Sequence, residues 1–191
     1  MKKIALASCV AAAFICANVA AETVTASATA TWDASATKDT KSALVVTPLK
    51  SLSFKYAEGI KAFNSQSGAF DITIEGQAGA TDFTLTSQVV TNTLSRTTDD
   101  STLSVGVDWN GKKLNTTNPI TLVDVGENVS AGLDALAVAS AYGESGRTST
   151  QGNFTFTIDS AKDGDDVEFS ELADGYWSGD VKVQFNAVWT I

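Results

Sequence analysis

The chain has 191 residues, carries 22 acidic side chains against 13 basic ones, and contains no histidine. Its two cysteines, Cys9 and Cys16, and its one methionine all fall within the first 21 residues. The rest of the chain therefore cannot build an ordinary zinc or copper site, a Ser-His-Asp triad or a thiol nucleophile, and its acidity argues against nucleic acid or anionic lipid as a partner.

Residues 1–21 read as a secretion signal. Lys2 and Lys3 form the charged start, Ile4 to Ala17 the apolar stretch, and Val19-Ala20-Ala21 the small-residue cleavage site. Ile15 ahead of Cys16 is too bulky for lipoprotein processing, and only Ile4 and Ala5 precede the Leu6-Ala7-Ser8-Cys9 string as a hydrophobic core, so no lipid anchor is expected. Cleavage leaves 170 residues, with 11 basic against 22 acidic side chains. That length suits one domain with a substantial core.

Residues 22–40 form a second region. From Thr23 to Trp32 apolar and hydroxyl side chains alternate without error: Val24, Ala26, Ala28, Ala30 and Trp32 share one face, Thr and Ser the other. This predicted strand is uncharged and runs into Asp33-Ala34-Ser35-Ala36-Thr37-Lys38-Asp39-Thr40, which has no apolar face to pack. A strand held so loosely is free to pair with another molecule, which points to a polymer-forming subunit.

Residues 41–191 form the expected domain. Alternation returns in Leu52, Phe54 and Tyr56, in Phe70, Ile72 and Ile74, in Phe83, Leu85, Ser87 and Val89, and in Leu103, Val105, Val107 and Trp109. Asn110-Gly111 suits a type I′ hairpin, in which both central residues take positive φ. Gly132 to Gly143, with Leu133, Leu136 and Ala137 at helical spacing, predicts one short helix or turn. Phe154, Phe156 and Ile158 mark a further strand, and Val167 with Phe169 a shorter one. The last predicted strand places Val181, Val183, Phe185, Ala187, Trp189 and Ile191 on one core-facing row, so the chain is expected to end inside a sheet. Six to eight short strands with little helix predict an all-β, immunoglobulin-like sandwich, with a closed barrel as the structural alternative.

Chemistry is sparse. The acidic clusters Asp99-Asp100 and Asp163-Gly164-Asp165-Asp166 sit among Ser, Thr and Gly, where Asp serves turns through local backbone hydrogen bonds. An EF-hand read from Asp159 places Ala161 and Ser170 where ligands are needed, so no calcium site is expected. Trp109 and Trp189 belong to core-facing rows. Tyr176-Trp177 is the one aromatic pair kept as a surface contact, for sugar or for another subunit.

Several longer strings carry a family likeness over nearly the whole of residues 22–191. They are Ala30-Thr31-Trp32, Ala43-Leu44-Val45-Val46-Thr47-Pro48-Leu49, Tyr56-Ala57-Glu58-Gly59-Ile60-Lys61, Phe63-Asn64-Ser65-Gln66, Leu103-Ser104-Val105-Gly106-Val107-Asp108 and Trp177-Ser178-Gly179-Asp180-Val181. Together they resemble the major pilins of the enterobacterial common pilus, or Mat fimbria, a chaperone-usher pilus family. The likeness is looser over Lys112 to Ser130 and Ala161 to Glu171.

That resemblance implies an incomplete immunoglobulin-like domain, completed by donor-strand exchange. The missing strand is supplied first by a periplasmic chaperone and then, at an outer-membrane usher, by the N-terminal strand of the next subunit, a role that maps onto Thr23 to Trp32. It implies a cell-surface fimbrium built as a head-to-tail homopolymer, joined to a tip adhesin subunit, that supports adhesion to host-cell surfaces and biofilm formation. No enzymatic activity and no cofactor are expected. The competing reading is a secreted sugar-binding β-sandwich.

Overall fold

The computed structural model describes residues 42–191. The expected signal, the Thr23–Trp32 strand and Asp33–Thr40 lie outside them. In chain order the strands are β1 (Leu44–Pro48), β2 (Tyr56–Ala57), β3 (Ala62–Phe63), β4 (Gln66–Gly76), β5 (Asp82–Thr91), β6 (Thr93–Ser95), β7 (Thr102–Trp109), β8 (Lys112–Lys113), β9 (Ile120–Asp124), β10 (Gly146–Asp163), β11 (Asp165–Val167) and β12 (Lys182–Thr190). One helix, α1, spans Ala139–Tyr142.

Two antiparallel sheets make the domain. The larger runs β1-β4-β10-β7-β6, with β11 on β10 and β8 on β7; the smaller runs β12-β5-β9, and β2 pairs with β3 alone. Alternation fixes which face of each strand turns inward. Phe70, Ile72 and Ile74 of β4, Val105 and Val107 of β7, and Phe154, Phe156 and Ile158 of β10 meet Phe83, Leu85 and Leu122 of the smaller sheet in one buried cluster. Burying side chains of this size stabilises by about 1.5–3 kcal/mol each, so the interdigitated rows are what hold the sheets together. The arrangement is an open sandwich and not a closed barrel.

Setting aside the short β2, β3, β6, β8 and β11, and β9 on the far side of β5, the larger sheet has the order first, second, fifth, fourth (β1, β4, β10, β7), and the smaller pairs the third with the sixth (β5, β12). This is the ABED sheet of an immunoglobulin sandwich facing strands C and F. The position of strand G, beside β12, is filled by none of the described residues.

Two glycines make room for aromatic rings of a neighbouring strand. Phe70 pairs with Gly152, and a Cβ on that glycine would strike the Phe70 ring; Gly68 pairs with Phe154, and a Cβ there would strike the ring of Phe156, two residues along the same strand. The predicted Asn110-Gly111 turn is present, with φ of 50° and 83°, and it joins β7 to β8.

The structure also corrects several expectations. The Gly132–Gly143 segment is not one helix: a 3-10 turn at Asp134–Leu136 is separated from α1 by Val138 in an extended conformation. No side chain caps either piece, and Leu133, Leu136 and Tyr142 are instead drawn into the core, Tyr142 stacking on Phe83 at 6.2 Å. Leu52, Phe54 and Tyr56 alternate in burial as read, yet only Tyr56 enters a ladder. Asn64 takes over there, its side chain accepting from the Lys55 N–H at 2.6 Å and its own N–H donating to the Lys55 carbonyl at 3.0 Å. Val167 and Phe169 do not share a strand, because Glu168 and Glu171 close a capping box around a 3-10 turn at Phe169–Glu171.

Candidate functional site

β12 forms because its residues alternate from Lys182 to Thr190, and one side of it pairs with β5 in register from Val183↔Val89 to Thr190↔Asp82. Its other edge has no ladder partner among the described residues. The inward row of β5, the next strand in, is sealed: Phe83, Leu85 and Ser87 are 0% exposed. The inward row of β12 is not. Val183, Phe185, Ala187 and Trp189 are each only half-buried, although all four touch the core cluster.

Contacts across the sandwich locate the opening. Phe185 lies 5.2 Å from Phe70 of β4 and 5.9 Å from Phe154 of β10, centroid to centroid, so β4 sits above β12. β1 is one strand further out on the same sheet and overhangs the space beside β12. Its Leu44 and Val46 pair with the inward-facing Ile74 and Ile72, so they point toward that space, and both are half-buried. The half-buried rows of Leu44 and Val46 on β1 and of Val183, Phe185, Ala187 and Trp189 on β12 thus flank an apolar groove along this edge, over the buried rings of Phe70 and Phe154. Trp189 closes one end against Phe83 at 5.2 Å, and its buried Nε1–H has no acceptor among the described residues.

A long, flat sheet edge with an apolar face is a template for another strand. Such an edge offers a row of backbone donors and acceptors, while the half-buried side chains offer pockets at every second residue. Among the described residues, those named as facing this groove, Leu44, Val46, Val183, Phe185, Ala187 and Trp189, carry no acid, base or nucleophile. Its geometry suits strand addition.

The start of β12 is held in place from the larger sheet. Ser178 bridges Ser95 of β6 through paired backbone hydrogen bonds of 2.9 Å. Beside it Arg96 lies 5.4 Å over the Trp177 ring and donates to the Ala173 carbonyl at 2.9 Å, while Trp177 Nε1 donates to Ser101 Oγ at 3.0 Å. The pair Tyr176-Trp177, kept in the sequence as a joint surface contact, is therefore split. Trp177 is packed as part of this clamp, and Tyr176 alone points out, 81% exposed.

Of the residues read as the C-terminal row, Val183, Phe185, Ala187 and Trp189 lie on one face of β12. Val181 packs on the core but precedes the strand, and Ile191 follows it, 81% exposed instead of core-facing. Val24, Ala26, Ala28, Ala30 and Trp32 lie outside the described residues. The acidic clusters are turns: Asp99 accepts from the Ser101 N–H and hydroxyl, and Asp163-Gly164-Asp165 joins β10 to β11 with Gly164 at φ 77°. Leu44 and Val46 were not singled out for the groove by periodicity, because Ala43-Leu44-Val45-Val46 is a continuous apolar run whose inward face only the pairing with β4 decides.

The comparisons with known proteins agree with this geometry. The family model described as "Fimbrillin MatB" matches residues 25–189. Two relatives from Klebsiella pneumoniae, each a "Common pilus major fimbrillin subunit EcpA", are 51% and 52% identical over the full length of both chains. A relative of the same description from Escherichia coli is 50% identical, again over the whole of both chains. With the fold, its open edge and these full-length matches in agreement, the chain belongs to the MatB fimbrillin family.

Proposed function

We propose that this chain is the major structural subunit of a surface pilus, exported through the periplasm, and that it polymerises head to tail by donor-strand exchange. The residues Thr23 to Trp32 of one copy occupy the strand-G position beside β12 of the next. The observation that supports this most strongly is the contrast between the sealed row of β5 and the half-buried row of β12 at the one immunoglobulin position left vacant by the described residues.

The donor matches the groove in kind. Val24, Ala26, Ala28, Ala30 and Trp32 present an uncharged apolar row, and backbone pairing supplies the affinity that three small alanines do not. Before assembly a periplasmic chaperone covers the same edge, and an outer-membrane usher is where the two strands are exchanged. A tip adhesin subunit ends the polymer, and the fibre supports adhesion to host cells and biofilm formation.

Deleting Glu22 to Asp33 tests the reading. The truncated subunit is expected to be insoluble alone, to stay soluble with a chaperone or with an added Thr23–Trp32 peptide, and to form no fibres by electron microscopy. Fibres of parental length from the truncated subunit would overturn it.

A further inference from the structure

A polar notch at the β7 side of the larger sheet has no part in strand exchange. It forms where β7 leaves β10. The two strands pair from Asp108↔Thr155 to Thr102↔Lys162, whereas β10 runs back as far as Gly146, in register with β4 on its other side. The opening has a volume of about 470 Å³ and lies between the Asn110-Gly111 turn, Gly132, and β10 at Gln151, Gly152 and Asn153.

The direction of the backbone hydrogen bonds shows what this notch offers. The Leu49 N–H donates to the Ala69 carbonyl and the Glu75 N–H to the Ala43 carbonyl, so the odd-numbered residues of β4 bond toward β1 and the even-numbered ones toward β10. Register pairs Phe70 with Gly152 and Gly68 with Phe154, which turns the odd-numbered residues of β10 the other way, toward β7. Past Thr155 no described strand meets them. The N–H and C=O groups of Gln151 and Asn153 therefore open into the notch with no backbone partner among the described residues, and water or a ligand must satisfy them.

Side chains add to this set. Those of Gln151 and Thr155, exposed on the outward face, make no hydrogen bond among the described residues. One carboxylate oxygen of Asp108 accepts from the Gly111 N–H at 2.7 Å and the other is free; Asn153 accepts from the Ser67 hydroxyl at 2.6 Å and keeps its amide NH₂. The mouth is built in advance. Asn110 donates to the Ala131 carbonyl at 3.1 Å, and Gly132, at φ 89°, lets its loop lie against the edge of the Trp109 ring.

A concave site of about 300–1,000 Å³ with a few convergent polar groups is the usual form of a small-molecule site. Here donors and acceptors are mixed, which suits hydroxyl groups, since each hydroxyl both donates and accepts. No lysine or arginine lines the notch, Asp108 supplies its one charge, and the chain as a whole is at −9, so an acidic ligand is repelled. We propose that the notch binds a neutral sugar unit of a glycan, with the Asp108 carboxylate, the Gln151 side chain and the open backbone of Gln151 and Asn153 taking its hydroxyls. Trp109 is 4% exposed and offers no stacking face, so a single site is weak. Its consequence rests on the pilus reading above: a fibre repeats the site once per subunit, and many weak contacts to a glycan-bearing surface add up to firm attachment.

The site itself is tested on the unassembled full chain by saturation-transfer NMR against the methyl glycosides of galactose, mannose, glucose and N-acetylglucosamine, with that of sialic acid alongside. At least one neutral sugar is expected to give a saturable signal, and sialic acid none. Losing one hydrogen-bonding group is expected to weaken that signal about tenfold or more in Gln151→Ala and in Asp108→Asn, while Thr86→Ala, on the outward face of the smaller sheet, keeps it. Gln151→Ala decides the matter if Asp108→Asn disturbs the turn, because the Gln151 side chain holds nothing in place. No signal from any neutral sugar, a signal that Gln151→Ala leaves intact, or a stronger one from sialic acid would overturn the site. Avidity is read from assembled fibres of parent and Gln151→Ala on surfaces bearing the same sugar: retention of the parent alone, released by the free glycoside, is expected, and equal retention of both would overturn it. Failure of the pilus reading shows separately, as fibres from the subunit lacking Glu22 to Asp33.

Discussion

Asp99 illustrates how a single residue shapes the turn between β6 and β7. Its carboxylate accepts from the Ser101 hydroxyl at 2.6 Å and from the Ser101 N–H at 3.0 Å, and Arg96 lies 3.3 Å away. The Ser101 hydroxyl first, then the N–H and the Arg96 charge, hold the Asp99 carboxyl below its ordinary value of 3.8, against partial desolvation, which works the other way. The folded value being the lower one, the unfolded chain takes up the proton first. The stabilisation is complete above 3.8 and is lost as pH falls through that value toward the folded one. Asp99→Asn is therefore expected to flatten the acid side of the stability profile of a subunit held soluble by the Thr23–Trp32 peptide, measured by denaturant titration at a series of pH values. Identical slopes for variant and parent would contradict this. The turn itself is legible in the sequence, since Asp99-Asp100-Ser101 has no apolar face and offers acceptors beside N–H donors. The Arg96–Trp177 clamp next to it is not, because its partners are far apart in the chain and meet only after both sheets have formed.

Among whole elements, strands buried on one face are read most easily, because a period of two is itself the signal. β4, β5 and β7 follow their alternation closely. The first half of β10, Gly146 to Asn153, carries no apolar row and escapes such a reading; it becomes a strand by pairing with β4 along its length. β9 escapes for the opposite reason, since Leu122 and Val123 are both buried after a register shift against β5. β12 is legible as a strand, but its half-buried state is not, since alternation does not reveal whether the neighbouring position is filled. The donor's own face makes a prediction at this scale. Ala28→Arg puts a long charged side chain where a methyl group fits, adding overpacking and charge burial, each about 1–3 kcal/mol or more. Thr29→Arg points to solvent. Pilus yield by electron microscopy is expected to be lost for Ala28→Arg, with its subunit still recovered in complex with the chaperone, and to be retained for Thr29→Arg. Equal yields, or loss only for Thr29→Arg, would show that Val24, Ala26, Ala28, Ala30 and Trp32 are not the inserted face.

For the molecule as a whole, the proposed donor and the open edge are different surfaces, so donor-strand exchange would join each subunit to the next through a heterologous contact that propagates instead of closing. A donor inserted between β12 and the overhanging β1 leaves only when the edge of the sandwich opens, and the persistence of such a fibre is governed by the rate of that opening. The Arg96–Trp177 contact and the Ser95–Ser178 bridge hold the entry to β12. The sequence offers a candidate donor because Thr23 to Trp32 alternates and runs into a stretch with no apolar face, and it reveals the fold class because the strand rows repeat. The acceptor is revealed only by the sheet order. The measurement that tests the central claim most directly is an electron cryomicroscopy map of the assembled fibre at side-chain resolution. The account predicts a strand beside β12, continuous with the preceding subunit and built from Thr23 to Trp32, with Val24, Ala26, Ala28, Ala30 and Trp32 facing Phe70 and Phe185. A map in which that edge is bare, or is filled by the subunit's own N-terminal strand, would contradict it.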